Sequence, residues 1–170
     1  MKNLFLGAFL FGLCSFQPPS MKDDFKALNA ENKALTKRID SLLYSGRSEI
    51  QSRIKKADRL ARGAADPASV LPVYQSNCDY CVQTLARHEM LEKSLKDQEA
   101  LVEQFAKELK ADKNMPEAEK KQMGEMLGGL FTENSDNEDK LKEVQKNCES
   151  LKKASCKEVE RLKKMIEKNK

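Results

Sequence analysis

Apolar residues recur along most of this chain at steps of three and four, the spacing that puts them on one face of an α-helix. The clearest run follows Ser76-Asn77-Cys78-Asp79-Tyr80-Cys81. With Cys81 at heptad position a, His88, Leu95, Val102 and Leu109 are also a, and Leu91, Gln98 and Phe105 fall at d. Glu89/Lys93, Glu92/Lys96 and Glu103/Lys107 place each acid four residues before its base, an order that supports a solvated helix face. Ser76 with Asp79 reads as a capping box, so the spacing predicts a helix over 77–112 with both cysteines in its first turns.

The same pattern predicts a first helix over 21–62, opened by Ser20 with Asp23. Phe25, Leu28, Asn32, Leu35, Ile39 and Leu42 form its stripe. After Leu43 the phase shifts to Ile50, Ile54, Ala57 and Leu60, a stutter with Gly46 as the expected bend. Gly63 to Pro67, with Pro72 close behind, reads as the loop that returns the chain. Pro116 opens a short helix over 116–131, and a polar loop at 132–139 holds a third capping box, Ser135 with Glu138. A last helix over 136–167 carries Leu141, Cys148, Ser155 and Leu162 at a, with Val144, Leu151 and Met165 at d. The expected fold is all-α: an antiparallel helical bundle or coiled-coil hairpin of three long helices and one short one, in one domain over 21–170.

Composition agrees with long amphipathic helices. Charged residues make up 34% of the 170, aromatics only 6%, and there is no Trp, which argues against a sheet or a deep enzyme core. A net charge of +4 gives no general case for nucleic acid. Arg53, Lys55, Lys56, Arg59 and Arg62 concentrate the positive charge at the end of the first helix. They read either as a patch for an anionic envelope surface or as a cationic last turn that offsets the helix dipole. Without interleaved aromatics for base stacking, no nucleic-acid partner is expected.

Met1-Lys2-Asn3 followed by Leu4 to Phe16 has the form of a signal peptide over 1–15. Its apolar run of about 13 residues is below the roughly 17 that span a bilayer. Pro-containing chain at 16–20 then acts as a spacer. Export to the periplasm, envelope or extracellular space is the expectation. Retention of Leu4–Phe16 as an anchor, or a lipid on Cys14, would instead tether the protein to a membrane.

Removing the leader takes Cys14 with it and leaves four of the five cysteines, an even number that reads as disulfides outside the cytosol. A bridge between Cys148 and Cys156 fails because eight helical residues span about 12 Å. Cys81–Cys148 fits best, both lying at a positions of facing helices. Cys78–Cys156 fits less well, since Cys78 would have to reach from chain ahead of the helix. Zinc is disfavoured by the same spacing, because Cys148 and Cys156 cannot share an ion on one helix, nor can Cys81 and His88. Thiol–disulfide exchange at Cys78/Cys81 is the enzymatic alternative, although the strand that normally precedes such a motif has only a weak, proline-bearing candidate in Leu71 to Gln75, and nothing else builds a sheet. Met123, Met126, Leu127, Leu130 and Phe131 form an apolar face that either packs internally or meets a partner. Gly124, Gly128 and Gly129 interrupt it. Asn32 and Gln98 at core positions point to self-association or a protein partner, because polar core residues select register and oligomer state. No cofactor is implied. The sequence reads as a non-enzymatic exported coiled-coil protein that is structural, a spacer, or an adaptor for another protein. The membrane-anchored linker and the thiol-exchange protein are its alternatives.

Overall fold

The computed structural model describes residues 21–63 and 66–169. They form three helices: α1, Met21–Arg62; α2, Pro67–Ala111; and α3, Glu117–Lys168. No strand occurs among the described residues. The Ser20 capping residue and the leader lie outside them.

The side-chain ties set the topology. Phe25 meets Phe105 with ring centroids 5.5 Å apart, and Arg53 reaches Ser76 Oγ at 2.9 Å, so α1 and α2 run antiparallel. Asn32 bonds Glu133, Asn137 bonds Thr36 and Lys140 pairs with Asp40, which makes α1 and α3 parallel. The bundle is an up-down-up rod, with α3 about 78 Å long by its rise.

Two expectations about element boundaries are overturned. Where four helices were expected there are three, because the segments over 116–131 and 136–167 are one continuous helix. Thr132 to Asp139 carries the polar composition of a loop, but its heptad never breaks. Leu130, Asn134, Asn137 and Leu141 continue the buried row at the required spacing, so two asparagines occupy core positions. Ser135 is therefore inside the helix and caps nothing.

Helix α2 begins nine residues before Ser76. Pro67 takes the first helical turn, where the missing N–H has no partner to lose. Pro72 lies inside the helix and forgoes one backbone bond. Val70, two residues earlier, is buried, so that end is anchored despite the loss. Ser76 becomes an interior residue whose side chain accepts a hydrogen bond from Arg53.

All eight α2 residues assigned to a and d are buried, from Cys81 to Leu109. Gly46 sits in the buried row of α1, which runs through it unbroken. The core divides along the rod. One end packs Phe25, Leu28, Val102, Phe105, Met123 and Leu130. The middle packs Leu35, Ile39, Leu91, Leu95 and Leu141. The other end packs Leu43, Ile50 and Val144 around Cys81 and Cys148. Between the first two clusters in sequence fall Asn32, Gln98, Asn134 and Asn137, all buried.

Candidate functional site

The chemistry-bearing side chains converge where the second half of α1 meets the start of α2 and the second half of α3. Cys78 and Cys156 are bridged, with their Cα atoms 5.2 Å apart. Cys81 and Cys148 are thiols, each fully enclosed in the seam. The bridge thus falls on the pair that the heptad pattern ranked second, and Cys81–Cys148, the pair it ranked first, is unbridged. Cys81 lies three residues from Cys78, and Cys148 eight from Cys156, so the two rungs differ by five residues, about 7.5 Å of rise. The rungs sit at different heights along the seam, and both pairs are in side-chain contact: Cys78 with Cys156 as a bridge, Cys81 with Cys148 through a hydrogen bond. Cys78 needs no frayed chain to reach its partner, because α2 already extends well beyond it.

The two thiols interact. A hydrogen bond to Cys148, together with burial, holds Cys81 far above the ordinary thiol range. The same bond draws Cys148 down, with burial opposing. The pair behaves as one unit: a thiolate on Cys148 would accept the Cys81 S–H, and the second proton is held strongly.

Arg53 organises the surface of this end. Its guanidinium lies 4.4 Å from the Tyr80 ring centroid, pairs with Glu49 at 2.7 Å and donates to the Ser76 carbonyl at 3.2 Å. It is therefore a half-buried residue held by these contacts. Lys55, Lys56, Arg59 and Arg62 remain exposed, and the first three line a shallow hollow with Ser52 and Leu60. His88 is buried between the thiol cluster and the middle of the rod. Among the described residues no group of His, Cys, Asp and Glu side chains is placed to hold a metal ion.

The apolar face over 123–131 is split. Met123, Leu127 and Leu130 are buried in the core, whereas Met126 and Phe131 are 45% and 42% exposed. Only the last two can present a surface to a partner. The polar core was half visible in the sequence: Asn32 and Gln98 lie on the expected rows, while Asn134 and Asn137 were hidden by the polar stretch around them. Carrying the a/d spacing on from Leu130 would have found both.

No family model, curated protein or solved structure matches this chain.

Proposed function

We propose that the protein is a non-enzymatic, exported helical rod that spaces or binds other proteins. The single observation that supports this most is the Cys78–Cys156 bridge. It ties α2 to α3 late in a chain whose side chains otherwise serve heptad seams. A bridge of this kind persists in oxidising compartments, in line with the short apolar leader in the sequence. The exposed cations Lys55, Lys56, Arg59 and Arg62 suit the rod's end to an anionic envelope surface. Mass spectrometry of the mature N-terminus, with peptide mapping under non-reducing conditions, tests the reading. A chain that starts after residue 14 or 15 and carries the 78–156 cross-link supports it. An intact leader on a chain with reduced thiols overturns it, and a lipid on Cys14 converts it to a tethered linker.

A second reading follows from the Cys81 thiol, which lies one turn from the bridged Cys78 and beside Cys148. Thiol–disulfide exchange would need Cys81 or Cys148 to attack a disulfide as thiolate, and burial opposes that. Insulin reduction by the reduced protein would favour this reading over the first.

A further inference from the structure

The outer seam between α2 and α3 carries a surface that the monomer does not use. Ala106, Leu109, Leu127 and Phe131 line an open groove of about 470 Å³, whose wall on α3 includes Gly124 and Gly128. A Cβ added to either glycine would meet nothing within 4 Å. Internal packing therefore does not call for glycine here, although glycine is among the weakest residues for a helix interior. What the two glycines provide is a lowered wall that another helix can approach closely.

The charges along this flank identify that helix. Glu117, Lys121, Glu138 and Lys142 lie on the same exposed stripe as the glycines, at alternating steps of four and three. Turned end for end about an axis between Gly129 and Leu130, the stripe complements itself. Glu117 then faces Lys142, Lys121 faces Glu138, Gly124 faces Ser135, and Gly128 faces the Phe131 ring. Lys110, on the same groove, adds a second cation near Lys121 and so toward Glu138 of a facing copy. The existing contacts of these groups are pairs within α3, Glu138 with Lys142 at 3.0 Å, Asp139 with Lys142 at 3.3 Å and Glu117 with Lys120 at 3.5 Å, which are weak and readily exchanged.

We propose that a second copy of this chain docks here, α3 against α3 in antiparallel sense, with each Phe131 ring seated over Gly128 of the other copy. A two-fold contact uses one patch twice, which is why a self-complementary stripe specifies it. The matched span, 117 to 142, is about 38 Å long. This deepens the reading of the chain as a protein-binding rod. It is judged on oligomeric state alone, so its failure leaves the N-terminal mass and cysteine map untouched.

Sedimentation equilibrium of the full chain, with its disulfide intact, tests it. A concentration-dependent dimer is expected. Lys121→Glu and Glu138→Lys should each weaken it roughly tenfold, because each substitution acts twice in a two-fold contact. The double variant Lys121→Glu/Glu138→Lys should recover most of the loss. Gly128→Leu should weaken the dimer while leaving the thermal midpoint of the monomer unchanged or higher, which shows that the variant folds. A monomer at all concentrations overturns the proposal. So does a dimer indifferent to the charge substitutions, or a double variant no better than the singles.

Discussion

Cys78 and Cys156 are bridged on the flank of the α2–α3 seam, while the buried Cys81 and Cys148 stay as thiols inside it. The bridge closes a loop of sequence separation 78, and in the chain-entropy description a loop of that size is worth about 4.5 kcal/mol. Cys78→Ser/Cys156→Ser should lower unfolding free energy by an amount of that order, read from urea denaturation, and should keep the helical circular dichroism spectrum.

Burial shields the inner pair. Maleimide labelling of the oxidised native protein should leave Cys81 and Cys148 unmodified on the timescale that labels an exposed thiol. In denaturant, two thiols should react on a chain that has lost its leader and three on one that keeps Cys14. Rapid labelling of Cys81 in the native state would contradict the enclosed seam.

Asn134 is 1% exposed, and neither its side-chain nitrogen nor its oxygen has a hydrogen-bond partner within the protein. Replacing an unsatisfied buried amide by an apolar group of similar size removes a desolvation cost of about 1–3 kcal/mol. Asn134→Leu should therefore raise the urea midpoint. Asn32→Leu should gain less or lose, because Asn32 donates to Glu133 at 2.7 Å.

Arg47 holds Glu143 below the usual carboxylate range through a side-chain hydrogen bond between α1 and α3. A depressed acid adds stability above its unfolded value of about 4.3, and that contribution is lost as pH falls through the lower folded value. The urea midpoint should decline below about pH 5, and less steeply in Glu143→Gln. Glu92 and Glu158, lowered by Lys96 and Arg161 within their own helices, should add to the decline in both proteins.

The periodicity of apolar residues is a local property, and it was enough to define α1, the a and d rows of α2 and the all-helical class. It failed where local signals conflict with the seam. Pro72 and the polar run over 132–139 look like breaks residue by residue, yet both are helical because buried neighbours, Val70 in one case and Asn134 with Asn137 in the other, keep the row in contact with the core. Arg53 shows the same limit on the surface. Among five cations its composition is ordinary, and only the approach of α2 puts Tyr80 under it.

The choice of bridge could not be made from spacing alone, because facing a positions establish which residues share a seam and not how far one helix slides along the other. What the chain determined unaided was its all-helical class, the span of α1, most of the apolar faces and the four candidate sulfurs. What required three dimensions was the axial offset of α2 against α3, which bridges Cys78 to Cys156 and leaves Cys81 beside Cys148 as a thiol. It also required the third helix to reveal which polar residues are enclosed. Heptad spacing repeats along a helix and so leaves its sliding position open, whereas a covalent bridge tolerates only one.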